Sequence, residues 1–92
     1  MYLEIVSPEA SLVRGDVESV TVPGVDGEFQ MLNNHAAIVS LLGKGKVKFR
    51  GNATISDGHE HKFSQEDGKW ILMISSGTVE MKDNKVIVLV DY

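Results

Sequence analysis

The sequence predicts an all-β protein, a β-sandwich or small barrel of about ten short strands. Residues that favour turns, mainly Gly, Asp and Asn, recur roughly every 6–12 positions along the chain. No segment carries apolar residues at the 3.6-residue period of an amphipathic helix, whereas several segments alternate between apolar and polar residues. Short alternating segments between closely spaced turns are typical of sandwiches and small barrels.

The N-terminal half is expected to contain strands separated by polar corners. Leu3–Val6 forms the first strand, and Ser7-Pro8 ends it because proline has no N–H to donate to a neighbouring strand. Residues 8–13 form a short strand or a turn before a corner at Gly15-Asp16. Further strands are expected at 17–22, 28–32 and 37–42, with turns at Asp26-Gly27 and Asn33–His35.

The C-terminal half continues this pattern. Lys46–Arg50 alternates charged and apolar residues, as in a strand with one solvated face. Asp57-Gly58 is expected to turn a hairpin into a strand at 59–63. Val86–Val90 is apolar at every position, which is typical of a strand covered on both faces. The remaining strands are expected at 53–56, 69–74, 78–82 and 85–90.

The length of 92 residues predicts a single domain that spans residues 1–92. A net charge of −4 and few aromatic residues argue against nucleic-acid binding. Without cysteine, the chain has no disulfide, no thiolate nucleophile and no Cys-ligated zinc. The longest apolar runs, Trp70–Ile74 and Val86–Val90, fall far short of the about 20 residues of a membrane-spanning helix. The first ten residues do not resemble a secretion signal, so we expect a soluble domain.

The stretch Val20–Leu42 carries the polar groups most suited to contact a partner. Glu28 stands at a turn tip beside Phe29, which is expected to be exposed, and His35 occupies the next corner. Glu28 and His35 are the pair that an acid–base mechanism would use, but nothing predicts a water-excluding pocket around them. No catalytic residue, cofactor or direct small-molecule substrate is therefore predicted.

The sequence His59-Glu60-His61 is the best metal candidate. Alternate residues of a strand share one face, so two imidazoles would reach the same ion. A site also needs a third ligand and supporting hydrogen bonds, which this stretch does not supply. A solvated hairpin is therefore the preferred interpretation, and no metal site is predicted. A free β-sandwich that binds a ligand, or a metal through His59 and His61, is the alternative function.

Segments along nearly the whole chain resemble the epsilon subunit of bacterial F-type ATP synthases, which is called delta in mitochondria. The most specific combination is the Asp26-Gly27-Glu28-Phe29 turn, followed by Asn34-His35-Ala36 and the apolar strand 38–42. Only about residues 51–69 lack a counterpart. The other matching segments follow the family's order at 3–9, 17–24, 45–47, 74–80 and 86–90.

The resemblance implies a sandwich of two five-stranded sheets and a noncatalytic role in the rotor's central stalk, coupling ion translocation to ATP synthesis. It also implies a peripheral position on the cytoplasmic face of the bacterial inner membrane. A lone glutamate at a loop tip suits contact with c subunits, whose polar loops usually carry basic residues. The implied contacts are Asp26, Gly27, Glu28 and Phe29 with the ring of c subunits (the c-ring), and Ser7, Asn34 and His35 with the gamma subunit.

The sequence also departs from the family pattern. Gln30, Asn33 and Ala37 stand where relatives often have Gly or Pro, so a more flexible corner is expected. Residues 52–69 look longer than usual and are expected to form an extended hairpin. The sequence ends at Asp91-Tyr92, where many relatives continue into two helices that carry a brake on ATP hydrolysis and sometimes an ATP site. These 92 residues are therefore expected to show neither that inhibition nor nucleotide binding.

Overall fold

The computed structural model describes all 92 residues and contains ten β-strands and one three-residue 3-10 helix. The all-β prediction is therefore confirmed. The 3-10 helix, Glu60–Lys62, is the only helical segment, and it is too short to cross a membrane. In chain order the strands are β1 (Tyr2–Val6), β2 (Ser11–Gly24), β3 (Gly27–Leu32), β4 (Ile38–Leu42), β5 (Gly45–Gly51), β6 (Thr54–Ile55), β7 (Phe63–Glu66), β8 (Lys69–Ile74), β9 (Ser76–Lys82) and β10 (Lys85–Asp91).

The long strand β2 belongs to both layers of the sandwich. Its first half pairs with β1 and β6, and its second half pairs with β3 and β5. The first layer runs β4-β9-β10-β1-β2 and carries the short β6 on the far side of β2. The second layer runs β3-β2-β5-β8-β7. Each layer thus has an array of five strands, with β2 counted in both and β6 added to the first, and β2 joins the layers into one ten-stranded hydrogen-bonded system.

Gly15 lies within β2, so the corner predicted at Gly15-Asp16 is wrong. The residue lies opposite Leu3 in the β1–β2 ladder and has a φ of +143°. A Cβ at this position would stand 2.7 Å from the Cα of Ala53. The glycine therefore permits close approach of the chain that leads into β6, rather than a turn.

The core lies between the two layers and is filled by the inward-facing residues, which are alternate residues along the strands. Val47 and Phe49 are fully buried, while Lys46 and Lys48 are half-buried and Arg50 is exposed, as the alternation in Lys46–Arg50 predicts. Phe49 meets Phe63 edge to face, with 6.2 Å between the ring centroids. Leu3 and Val88 extend the same core into the first layer.

Three predictions in the C-terminal half are wrong. Val86–Val90 is not covered on both faces, because Leu89 is exposed while its neighbours Val88 and Val90 are buried. Residues 59–62 lie outside any strand, so of the strand predicted at 59–63 only Phe63 is in one, as the first residue of β7, and the 52–69 segment is not an extended hairpin. Instead the N–H groups of His59 and Lys62 donate to the carbonyls of Ser56 and His59, which curls the chain into the 3-10 helix.

Candidate interaction surfaces

An exposed apolar strip crosses the outer face of the first layer. Its members are the exposed Val39 and Leu41 on β4 and Leu89 on β10, together with the half-buried Val6 on β1 and Ile87 on β10. Val39, Leu41 and Leu89 are 75%, 63% and 52% exposed, which is unusual for large apolar side chains standing together. Contiguous apolar surface of this kind marks a site that another molecule covers.

Strand register makes the strip continuous. On β9, Thr78 lies opposite both Leu41 of β4 and Leu89 of β10. Leu89 in turn lies opposite Val6 in the parallel pairing of β10 with β1. One row of side chains therefore runs across four strands, and only the threonine in it is polar.

An open groove of about 530 Å³ lies along the Thr78–Leu89–Val6 part of this row, on the side away from Val39 and Ile87. The groove depends on Gly77, because a Cβ there would overlap the carbonyl oxygen of Leu89. Its floor and rim include Val6, Ser7, Pro8, Gly77, Thr78 and Leu89. The strip and the groove together form one surface, which no part of this chain covers.

Ser7, a predicted gamma contact, lies at the groove end of the strip. Its side chain is buried, and its Oγ both accepts from the N–H of Ala10 at 3.2 Å and donates to the carbonyl of Ala10 at 3.3 Å. The hydroxyl thus holds the turn between β1 and β2. Ser7 therefore fixes the shape of the turn that a partner would contact, and its hydroxyl is not a free polar group.

Asn34 and His35, the other predicted gamma contacts, lie at the opposite end of the same layer. The N–H of Asn34 donates to Oδ1 of Asn84, in the turn before β10. That turn precedes Lys85, about 13 Å along β10 from the level of Leu89. The structure therefore does not gather the three residues into one cluster, and the apolar strip lies between them.

The Asn33–His35 corner is held by hydrogen bonds as well as by its turn. The N–H of His35 donates to the carbonyl of Leu32 at 3.1 Å, and Nδ1 of His35 lies 2.7 Å from the carbonyl oxygen of Ala36. The α-amino group of Met1 donates to Oδ1 of Asn33. Asparagine thus supplies an acceptor that proline would not supply at this position. The greater flexibility expected of the corner remains a prediction.

The predicted acidic corner, Asp26 to Phe29, forms the tip of the β2–β3 hairpin. Gly24 pairs with Gly27, so Val25 and Asp26 make a two-residue turn and are both exposed. Phe29 is not exposed as predicted, because its ring packs half-buried against Gly24, where a Cβ would come within 2.9 Å of it. The tip therefore offers carboxylates and a small apolar turn, with Phe29 supporting it from behind.

Glu28 is engaged by a basic neighbour. Its Oε2 lies 3.8 Å from Nζ of Lys48, which reaches across β2 from β5. The Glu28 side chain is 56% exposed, so one side of the carboxylate is open to a second cation.

The acidic corner adjoins the apolar strip at Leu41. The N–H of Val25 donates to the carbonyl of Leu41 at 3.0 Å, and the N–H of Gly43 donates to the carbonyl of Pro23 at 2.8 Å. The corner therefore lies at the same end of the molecule as Ser7. Sequence patterns did not identify the strip, since 38–42 was predicted only as an apolar strand and Val86–Val90 was expected to be covered on both faces.

The structure does not assemble a catalytic or metal centre from the predicted candidates. Glu28 is the second residue of β3 and His35 follows the end of that strand, so the two do not converge on one pocket. His59 and His61 lie at the 3-10 helix, where the alternation of a strand does not apply. No group of three or more His, Asp or Glu residues is placed to hold a metal ion.

Comparisons with known proteins all indicate one family. The model of the "ATP synthase, Delta/Epsilon chain, beta-sandwich domain" family matches residues 1–92. An ATP synthase epsilon chain of Leptospira interrogans serovar copenhageni is 33% identical over 92 residues, which are 100% of this chain and 61% of the relative. One from Nitratiruptor sp. is 36% identical over 91 residues, which are 99% of this chain and 60% of the relative. The chain thus spans about three fifths of the length of these relatives.

Solved structures show the same fold at low sequence identity. A chain of the Tetrahymena thermophila mitochondrial ATP synthase central stalk/c-ring has a TM-score of 0.72 and 16% identity, covering 99% of this chain and 63% of that one. A chain of the Euglena gracilis mitochondrial ATP synthase OSCP/F1/c-ring structure has a TM-score of 0.72 and 19% identity, covering 98% of this chain and 49% of that one.

Proposed function

The chain belongs to the ATP synthase delta/epsilon family, as its β-sandwich domain, and on this premise we propose that it is a rotor subunit of the central stalk that binds gamma and the c-ring. Epsilon chains are noncatalytic subunits of ATP synthase. In the complex, the domain joins the shaft to the ring so that ion-driven rotation reaches the catalytic sites. Its position is peripheral, on the cytoplasmic face of the bacterial inner membrane.

The apolar strip is the observation that carries the proposed gamma contact. Fully burying a Val or Leu side chain contributes about 1.5–3 kcal/mol, and Val39, Leu41 and Leu89 all stand in water in the free domain. An exposed ion pair contributes only about 0.2–1 kcal/mol. Packing of gamma on the strip therefore dominates affinity, and the charged corner sets orientation.

The acidic corner is the proposed contact with the c-ring. Asp26 and Glu28 lie at a hairpin tip that projects beyond the Leu41 end of the strip. Because gamma covers the strip and the ring meets the corner, two neighbouring surfaces of one rigid domain bind the two partners. Lys48 holds the Glu28 carboxylate at the tip, so that its open side meets a basic loop residue of the ring.

The domain transmits force and takes no part in bond chemistry. One elementary charge crossing about 150–200 mV releases about 3.5–4.5 kcal/mol, and several ions together drive each catalytic step. That energy reaches distant sites only if the joint between ring and shaft does not slip. A sandwich whose two layers share one continuous strand, β2, is suited to this task because neither layer shears without disturbing that strand.

Site-specific photocrosslinking in the assembled complex tests both contacts. A photoreactive amino acid replaces Val39 in one variant, Asp26 in a second and Met73 in a third. Met73 is an exposed apolar residue of β8 in the other layer, so it serves as the control. We expect Val39 to crosslink to gamma and Asp26 to a c subunit, with Met73 forming neither product. Crosslinking of Val39 to anything other than gamma would exclude the proposed arrangement.

A further inference from the structure

One charged side chain stands inside the apolar strip. Glu80 on β9 lies opposite Val39 of β4 on one side and opposite Ile87 of β10 on the other. It is exposed, and it forms a second row beside the Leu41–Thr78–Leu89 row. A partner that covers Val39 and Leu41 therefore also covers Glu80.

The carboxylate of Glu80 has no partner within the chain. It makes no hydrogen bond, and the three ion pairs of the structure are Arg14–Glu4, Lys46–Glu66 and Lys48–Glu28. Lys82 follows two residues later on the same face but does not come within ion-pair distance. Lys85 is engaged elsewhere, with Nζ 5.6 Å from the centroid of the Tyr2 ring.

The row that contains Glu80 also contains a second glutamate, Glu4, which does have a cationic partner. Glu4 on β1 lies opposite Ile87, one strand beyond Glu80, and Arg14 of β2 lies 3.5 Å from its carboxylate. The fold therefore supplies a cation for the acid at the edge of the row. It supplies none for Glu80 in the middle.

Covering a carboxylate removes its water, which is costly unless a cation and hydrogen-bond donors replace that water. We propose that the gamma surface covering the strip presents a basic side chain, best an arginine, opposite Glu80, and that this pair fixes the register of docking. The inference rests on the proposed function. Arginine fits because its planar group donates to both carboxylate oxygens at once. The apolar rows supply affinity without direction along the strands, so a single buried ion pair sets the position.

The test is a titration of the cognate gamma subunit against the domain and its variants. We expect Glu80→Gln to weaken binding by about thirty-fold or more, because it leaves the partner's cation buried without a counter-charge. Glu80→Lys should weaken it further, since two cations then meet. Glu18→Gln, an exposed carboxylate on β2, is the matched control and should bind as the unaltered domain does. Equal or tighter binding by Glu80→Gln would overturn the proposal, since an unpaired acid is easier to bury as an amide.

Two further variants separate the possible failures. If Lys82 swings onto Glu80 during docking, Lys82→Met weakens binding as much as Glu80→Gln does, and the proposed basic residue of gamma is excluded. If gamma binds neither the unaltered domain nor Leu41→Ser, the proposed function itself fails and the inference with it. Thermal unfolding of each variant checks that the fold is intact. We expect unchanged midpoints for the Glu80 variants, because the side chain is exposed and forms no hydrogen bond or ion pair within the chain.

Discussion

The carboxylate of Glu28 lies 3.8 Å from the ammonium group of Lys48, across the outer face of the second layer. The two residues stand on β3 and β5, with β2 between them. The ion pair with Lys48 positions the Glu28 carboxylate at the hairpin tip and partly neutralises its charge in the free domain. In the proposed contact, a basic residue of the c-ring would share Glu28 with Lys48 and would not meet a free charge.

Replacing Glu28 with lysine should weaken coupling without unfolding the domain. The change puts two ammonium groups together at the tip, and it also repels a basic loop of the ring. Because both side chains are partly exposed, the loss of stability should stay below about 1 kcal/mol. ATP-driven proton pumping and the urea unfolding midpoint give the two readouts, with Glu28→Gln as the milder variant. Normal pumping and assembly with Glu28→Lys would count against the assigned contact.

Replacing Leu41 with serine should lower affinity for gamma by about tenfold or more while stability changes by less than about 0.5 kcal/mol. The side chain is 63% exposed in the free domain, so it contributes to binding more than to folding. Met73→Ser is the matched control, since Met73 is also an exposed apolar residue but lies in the second layer. Isothermal titration with gamma measures the difference, and equal losses in the two variants would remove the strip as the binding surface.

Gly77→Ala should destabilise the domain by about 1–3 kcal/mol. The added Cβ would collide with the backbone carbonyl of Leu89, so β9 and β10 must separate there. The same shift disturbs the groove and Leu89. Gly43→Ala is the control, because a Cβ at Gly43 meets only Val25, at 4.0 Å. Urea unfolding of both variants measures the contrast, and equal midpoints would show that the strands accommodate the methyl group.

Zinc should not bind in the micromolar range. His59 and His61 do not share a strand face, and Nδ1 of His59 is buried without a hydrogen-bond partner, facing no third ligand. Calorimetric titration of zinc against the domain and against the His59→Ala/His61→Ala double variant measures this. Micromolar binding that the double variant loses would favour the alternative function of a free metal-binding module.

Local sequence signals predicted the elements whose structure depends on local chemistry. The alternation in Lys46–Arg50 correctly predicted β5, because this strand has one buried and one solvated face. The turns at Asp67-Gly68 and Asp83-Asn84 are formed by the turn-favouring residue types on which the all-β prediction rests, and all four residues have φ between +52° and +76°. A turn was also predicted at Asp26-Gly27, and the structure has it one residue earlier, at Val25-Asp26, with Gly27 at positive φ as the first residue of β3.

Features that depend on distant contacts were not predictable in this way. Gly15 was wrongly predicted to form a corner. The position requires glycine because the backbone of Ala53, which is distant in sequence, leaves no room for a Cβ. Val86–Val90 was expected to be covered on both faces, because the sequence pattern is the same whether the chain itself or a partner covers the second face. The Glu28–Lys48 pair also depends on pairing through β2, which no sequence motif records.

Covering of the strip by gamma is the central claim, and chemical labelling measures it directly. The chain has no cysteine, so Val39→Cys introduces a single thiol at the most exposed position of the strip, and Met73→Cys introduces one in the other layer. The rate of maleimide labelling is measured with and without saturating gamma. We expect gamma to slow labelling of Val39→Cys by about tenfold or more and to leave Met73→Cys unchanged, since interface cores exclude water. Undiminished labelling of Val39→Cys in a complex that contains bound gamma would contradict the account.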